Sequence, residues 1–483
     1  MSEGAASLRF AVRLPVVAKY LGQLGVMLAL LNLAPLLVAI AHQEWSITLR
    51  LLVVEVVLLT LSLPAARLAP PQSLQGNEAL VIVCGAFMLT PLLMTLPFTA
   101  AGLSFGDALF EAISAITTTG LSTQRHLEAM PQSFLFSRAW MQWYGGLGIV
   151  VLSVALLMGH HVTSRRLAEP AGGEGLVTTA RTHARRMLLV YLLLTMLGCA
   201  VAVPLIGDGM VAVNHVLAAI STGGFSTHDQ SLAALASWPQ RLLIMGIAWC
   251  GAVPLALYYQ ALHGGWRQAL RDGELWLLSG LIVLLTLLLY LLTPSAAGDA
   301  LLHSFTLAIS AQSTTGFSSG DITLLAPTAK LLLVVAMFVG GGIGSTAGGI
   351  KLLRLILLFK LVQLLLRRSA APAHAVIQPR LGGRQLSDDE LLRALLLILL
   401  FALVVGVSWL LFVSYGYAPL DALLEVTSAT ATVGLSTGIT SHDMPPLLKT
   451  VLALDMLLGR LEIVALLVLC YPPTWFGKRL EGA

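Results

Sequence analysis

Long apolar runs recur from one end of this chain to the other, and they limit its fold more than any other feature. They include Val53–Leu63, Ala79–Leu96, Ile149–Met158, Met187–Leu205, Leu275–Leu292, Lys330–Gly340, Ala394–Val413 and Leu447–Cys470. A spanning helix needs about 20 apolar residues, and most of these runs reach or approach that length. Of the 483 residues 57% are hydrophobic and 11% charged, where soluble proteins carry about 25% charged. Water is not the main solvent of such a chain, and the expected fold class is an all-α integral membrane protein. The first apolar stretch, about Val16–Ala41, lacks a short hydrophobic region ending in a small-residue cleavage site, and reads as a retained anchor.

The charges set an expected orientation. Arg165, Arg166, Arg181, Arg185 and Arg186 crowd one connection, and Arg367, Arg368, Arg380, Arg384 and Arg393 a later one. By the positive-inside rule both face the cytoplasm. Arg9, Arg13 and Lys19 place the N-terminus there, and Lys478 with Arg479 the C-terminus, so an even number of crossings is expected. The other connections carry His126 with Glu128, Asp229, Asp321 and Asp443, and are expected to face outward. The net charge of +4 is modest, and the cations cluster in particular loops instead of forming a nucleic-acid patch. Cys84, Cys199, Cys250 and Cys470 lie in apolar segments at spacings matching neither a metal site nor a disulfide framework, as packing residues do.

A motif recurs in four copies: Ser114-Ala-Ile-Thr-Thr-Thr-Gly120-Leu-Ser-Thr123, Ala218-Ala-Ile-Ser-Thr-Gly-Gly224-Phe-Ser-Thr227, Ser310-Ala-Gln-Ser-Thr-Thr-Gly316-Phe-Ser-Ser319 and Ser428-Ala-Thr-Ala-Thr-Val-Gly434-Leu-Ser-Thr437. The shared glycines are 104, 92 and 118 residues apart, room for two crossings and the motif in each repeat. Asp107-Ala-Leu-Phe-Glu111 matches Asp421-Ala-Leu-Leu-Glu425 at the same distance from Gly120 and Gly434. Each run before the glycine is too short to span, as a re-entrant half-helix would be. Asp107 and Asp421 stand where they would cap or charge its N-terminus, leaving the negative end of the dipole aimed at the motif. The expected plan is two N-terminal helices within 1–75, then helix, half-helix, helix repeats at 76–160, 184–265, 270–368 and 388–476, pseudo-symmetric around a central pore.

Non-helical backbone at membrane depth is tolerated where it lines water or ions, and successive carbonyls can replace the hydration shell of a cation. Glycine permits the backbone angles that turn carbonyls inward. A cluster of Gly, Ser and Thr can also be a mere turn or helix contact, a reading weakened by its fourfold recurrence. Glu111 and Glu425, nine residues before the glycine, are either cation ligands or hydrogen-bonding groups that orient the half-helix.

These motifs resemble the superfamily of potassium transporters that includes Trk, Ktr and HKT proteins. The likeness covers nearly the whole chain and extends to Gln142-Trp-Tyr-Gly-Gly-Leu-Gly148, Gly340-Gly-Gly-Ile-Gly-Ser-Thr-Ala-Gly-Gly-Ile-Lys351 and Leu458-Gly-Arg-Leu-Glu462. The two extra N-terminal spans, about Val16–Ala41 and Ile47–Leu68, and the closing Tyr471-Pro-Pro-Thr-Trp475 resemble the bacterial Trk-type membrane subunit more than the Ktr type. The resemblance implies a potassium filter made of Thr117, Thr118, Thr119 and Gly120; Ser221, Thr222, Gly223 and Gly224; Ser313, Thr314, Thr315 and Gly316; and Ala431, Thr432, Val433 and Gly434. Repeat four reads Ala-Thr-Val-Gly where repeat one reads Thr-Thr-Thr-Gly, so the fourfold pattern is approximate. Also implied are potassium ion as the transported and bound species, uptake across the bacterial inner membrane, a homodimer, and a cytosolic nucleotide-binding regulatory subunit docked on the Arg-rich face. A sodium-permeable or ion-coupled symporter of Ktr type is the alternative on the same architecture.

Gly340, Gly341, Gly342, Gly344, Gly348 and Gly349 cannot sustain a helix, because each glycine costs about 1 kcal/mol relative to alanine. With Ser345, Thr346, Ala347 and Lys351 they interrupt an otherwise apolar segment, and the resemblance implies a movable gate below the filter. The Gly-x4-Gly-Lys-[Ser/Thr] order of a P-loop is absent. Lys351 can alternatively anchor at the cytoplasmic interface. Arg460 lies amid Ala453–Leu469, where a charge costs about 2.5–3.5 kcal/mol on insertion scales. It either faces the pore as an electrostatic barrier or pairs with Asp455 or Glu462. An intramembrane enzyme would need a base near a nucleophile such as Ser345, but His215 and His303 belong to half-helices on the opposite side. No catalytic residue is expected.

Overall fold

The computed structural model describes residues 11–69, 74–158, 176–292, 299–370, 380–381, 384–386 and 388–477. Arg9, Arg165, Arg166, Lys478 and Arg479, which the expected orientation uses, lie outside the described residues. The helices in chain order are α1 (Leu14–Ala41), α2 (Trp45–Ala66), α3 (Gly76–Thr99), α4 (Phe105–Ile116), α5 (Gln132–Met158), α6 (Leu176–Ile206), α7 (Gly209–Ile220), α8 (Trp238–Ala252), α9 (Leu255–Gly264), α10 (Trp266–Ala269) and α11 (Gly273–Leu292). They continue as α12 (Ala300–Gln312), α13 (Pro327–Val339), α14 (Leu352–Ser369), α15 (Asp388–Ser414), α16 (Pro419–Thr430), α17 (Pro446–Arg460), α18 (Val464–Cys470) and α19 (Pro472–Phe476). A two-residue antiparallel pair, Arg380–Leu381 with Arg384–Gln385, is the exception to the all-helical plan among the described residues.

Six helices among the described residues, α1, α2, α3, the Ala184–Ile206 part of α6, α11 and the Glu390–Ser414 part of α15, are long and apolar enough to cross a membrane. Their outer faces carry Leu30, Leu61, Met196, Leu291 and Leu403 exposed, while the threonines and serines at the half-helix ends, among them Thr118, Thr222, Thr314 and Thr432, are buried at the centre. That inside-out distribution suits a lipid solvent. The two N-terminal helices form a hairpin whose backbones meet closely, since a Cβ on Gly22 or Gly25 would strike Ala65 or Ser62. Small residues allow such approach where no hydrophobic effect drives helices together.

The half-helices α4, α7, α12 and α16 have 12, 12, 13 and 12 residues, about 18–20 Å of rise in a hydrocarbon layer about 30 Å thick. Their starts are locally encoded. Ser104 caps α4, the Asp208 carboxylate accepts from the amides of Met210 and Val211 at 2.9 and 3.0 Å, and Pro419 opens α16. Asp107 and Asp421 cap nothing: both lie in the first turn and take a lysine from a neighbouring repeat, Lys449 at 2.6 Å and Lys330 at 2.7 Å. The second helix of each repeat packs on the half-helix of the next, α5 on α7, α8 on α12, α13 on α16 and α17 back on α4. The chain therefore closes on itself.

Three of these second helices are broken. α8 and α9 meet at 86° across Val253–Pro254, and α13 and α14 are separated by Gly340–Lys351. Leu447–Cys470, expected as one continuous span, is interrupted at Leu461–Ile463, where Glu462 and Ile463 both have φ of 56°.

Candidate ion-conduction site

Each half-helix ends in the same way. The amides of Thr118, Thr222, Thr314 and Thr432 bond to the carbonyls of Ala115, Ala219, Ala311 and Ala429 at 2.9–3.3 Å. The next amides, of Thr119, Gly223, Thr315 and Val433, reach back to Ser114, Ala218, Ser310 and Ser428 at 2.7–2.9 Å. This is a Schellman cap, whose left-handed position usually belongs to glycine. Here threonine fills it four times, with φ of 54°, 52°, 56° and 51°. A β-branched residue in that region is strained by about 1–3 kcal/mol, which the surrounding structure must offset. Two residues on, Gly120, Gly224, Gly316 and Gly434 are again at positive φ. Positive φ recurring at every second residue is a backbone that turns successive carbonyls to one side.

The four segments meet. A Cβ on Gly120 would overlap the carbonyl oxygen of Gly223, one on Gly224 that of Thr315, one on Gly316 that of Val433, and one on Gly434 that of Thr119. The contacts run from each repeat to the next and back to the first, so the glycine-bearing bends form a closed ring. Close approach of main chain to main chain leaves no room for a side chain at these positions. The carboxyl ends of all four half-helices converge on this ring, and their dipoles favour a cation there.

Side chains behind the ring hold it in shape. Glu111 accepts from Ser122 Oγ and the Thr123 amide at 2.6 and 2.8 Å, and Glu425 from Ser436 Oγ and the amides of Thr437 and Thr440 at 2.7–3.0 Å. Both carboxylates are fully buried and tie the chain after the glycine to its own half-helix. His215 occupies the matching place in repeat two and meets Ser226 Oγ at 3.1 Å. Arg138, 1% exposed, faces Glu111 at 3.2 Å and lies 3.8 Å above the ring of Phe225, the residue after Gly224. Sequence reasoning passed over Arg138, although it sits in an apolar second helix as Arg460 does and the same cost of a buried charge singles it out.

The glycine-rich loop lies directly against the ring. The Gly348 amide donates to Thr314 Oγ1 at 2.6 Å and the Gly349 amide to the Ala431 carbonyl at 3.1 Å. Thr346 Oγ1 reaches the carbonyls of Ile220 and Gly251 at 3.0 and 2.9 Å. Gln312 Nε2 donates to the Gly340 carbonyl at 2.7 Å, and Lys351 Nζ bonds to the Ala347 carbonyl. Gly341, Gly342, Gly344 and Ser345 form the turn below, with Ser345 Oγ donating to the Gly342 carbonyl at 2.6 Å. Arg460, 2% exposed, donates to the Thr346 carbonyl at 2.9 Å and the Gly145 carbonyl at 3.1 Å, bridging the loop to repeat one. It pairs with neither expected acid: Glu462 takes Arg354 at 2.5 Å, and Asp455 takes Ser408 at 2.9 Å.

The profile of the cation transport protein family TrkH matches residues 52–264 and 274–473. The chain belongs to this family. Among TrkH-family relatives, the Trk system potassium uptake protein TrkH of Escherichia coli K12 is 32% identical over 420 residues, covering 83% of this chain and 86% of that protein. The Trk system potassium uptake protein TrkI of Halomonas elongata is 32% identical over 483 residues, covering 95% and 96%. The crystal structure of the potassium transporter TrkH from Vibrio parahaemolyticus superposes with a TM-score of 0.84 at 28% identity, over 96% of this chain and all of that one. The family is one of cation transporters and not of enzymes.

Proposed function

We propose that this chain takes up potassium ion across the bacterial inner membrane, through a filter formed by residues 117–120, 221–224, 313–316 and 431–434. The observation that carries the reading is the closed ring of glycine contacts, at which main-chain oxygens from every quarter of the chain gather at the buried ends of four half-helices. Such oxygens replace the water a weakly hydrated cation gives up. The relatives named as potassium uptake proteins support the choice of ion.

Below the ring, residues 340–349 with Lys351 act as a gate, and Arg460 holds it shut while placing a positive charge near the path. Both termini face the cytoplasm. The chain works as a homodimer with a cytosolic nucleotide-binding subunit on its arginine-rich inner face, a reading that rests on the family likeness and the charge pattern. Ion-coupled symport is the second reading. It is favoured by Asp455, a carboxylate 2% exposed whose Oδ2 has no partner among the described residues, since buried acids within membrane spans serve as proton or ion relays.

Rubidium uptake into proteoliposomes tests the filter. Gly224→Ser and Gly316→Ser each place a side chain against a neighbouring carbonyl and are expected to abolish or deselect uptake; unchanged flux and selectivity in both rejects the assignment.

A further inference from the structure

One of the four ring carbonyls is unlike the others. Thr119, Gly223, Thr315 and Val433 occupy the same place in their segments, each presenting its oxygen to a neighbour's glycine. Gly223 lacks a side chain, and the reason is visible. A Cβ there would overlap the terminal amide of Gln142, falling 2.7 Å from its Nε2. Gln142 is fully buried on α5 of repeat one, and its amide reaches across to repeat two. Nε2 donates to the Gly223 carbonyl at 2.6 Å, and Oε1 accepts from the Phe225 amide at 3.2 Å. The two bonds bracket Gly224 and fix the amide's orientation. No side chain donates to the carbonyls of Thr119, Thr315 or Val433 among the described residues. The corresponding positions three residues before Gly251 and Gly459, the close-packing glycines of repeats two and four, are Ala248 and Met456, which have no such amide.

We propose that Gln142 is a specificity-determining positioning residue, standing in for the absent side chain of Gly223 and holding repeat two's segment in register with the other three. Two adjacent glycines at Gly223 and Gly224 give that segment more conformational freedom than its neighbours have. The glutamine amide removes it by fixing one peptide on each side of Gly224. It also commits part of the Gly223 oxygen's capacity, so that this carbonyl is the weakest ligand of the ring. A ring that contracts around smaller cations loses its preference for larger ones. The preference therefore depends on an α5 side chain that touches no ion. This inference deepens the filter reading above and rests on it.

The rubidium-to-sodium permeability ratio of the reconstituted full chain is the readout, because a residue needed only for folding changes the amount of active protein and not the ratio. Gln142→Glu keeps the size and the acceptor toward Phe225 but loses the donor toward Gly223, and Gln142→Ala loses both. Each is expected to lower the ratio about fivefold, the equivalent of one ordinary hydrogen bond. Gly223→Thr alone collides with Gln142 and is expected to cut flux about tenfold through overpacking. The double variant Gln142→Ala with Gly223→Thr makes repeat two resemble repeats one and three, and is expected to return the ratio to within about twofold of the parent. An unchanged ratio in both Gln142 single variants, or a double variant no better than the worse single one, overturns the proposal. Should Gln142→Ala fail to fold, Gln142→Ser, which also empties the space beside Gly223, alone and combined with Gly223→Thr, decides by the same two criteria. Gly316→Ser is the separate control: if it keeps the parent's ratio the filter reading itself is at fault, and if it alone loses selectivity only the role of Gln142 falls.

Discussion

The Gly348 amide donates to Thr314 Oγ1 at 2.6 Å, so the glycine-rich loop is fastened to the same threonine that bends the chain at the end of the third half-helix. The loop proposed as the gate and the ring proposed as the filter are thereby in contact. Thr222 Oγ1 lies 3.3 Å from Thr346 Oγ1, a second such contact, while Thr118 Oγ1 and Thr432 Oγ1 have no partner among the described residues. Replacing Thr314 by Val keeps the shape and removes the acceptor. Rubidium uptake should rise about fivefold, as one lost hydrogen bond shifts a closed-to-open balance; uptake equal to or below the parent's would count against the tie.

Arg460 makes two charged bonds to carbonyls on different repeats. Hydrogen bonds to a charged group contribute about 1.5–3 kcal/mol. Arg460→Ala should therefore raise basal uptake further than Thr314→Val, and Arg460→Lys, which cannot fork to both carbonyls, should fall between the parent and the alanine variant. The order of the three fluxes in one proteoliposome preparation checks it.

A carboxylate paired with a buried cation differs from one bonded to neutral donors. Glu111 faces Arg138, whereas Glu425 holds only hydroxyl and amide donors among the described residues. Glu111→Gln leaves Arg138 buried without its counter-charge and should cost about 3–5 kcal/mol. Glu425→Gln should cost about 1–2 kcal/mol. Thermal unfolding in detergent, followed by tryptophan fluorescence, should place the Glu111 variant well below the Glu425 variant.

Glycines on three of the second helices let each of those helices lie against the last turn of its own half-helix. A Cβ on Gly145, Gly251 or Gly459 would overlap the carbonyl of Ile116, Ile220 or Thr430. Alanine at each should destabilise by about 1–3 kcal/mol. Gly280→Ala, where nothing lies within 4 Å, should be neutral or slightly stabilising. The same thermal assay distinguishes them, and a Gly280 variant as unstable as the other three would undo the packing argument.

Much of the fold was legible because its causes are local. Apolar length marks α1, α2, α3 and α11, and the spacing of Gly120, Gly224, Gly316 and Gly434 marks the repeat. The short run ahead of each glycine has too little length to be anything but a half-helix in lipid. Leu447–Cys470 misled because its composition is that of one span. The break at Leu461–Ile463 is marked by Glu462, whose partner Arg354 lies on another repeat and has no signature in the local sequence. Arg460 was legible as costly but not in its partners, since Thr346 and Gly145 become its neighbours only after three repeats have closed around it.

The sequence alone determined the solvent, the helices, the fourfold recurrence and the residue types at each bend, because hydropathy and backbone preference act over a few neighbouring residues. Tertiary structure decided that four bends form one ring, that Gln142 fills the space Gly223 leaves, and that the glycine-rich loop is held beneath. Those relations join residues dozens to hundreds of positions apart, and nothing short of packing the helices on one another specifies them.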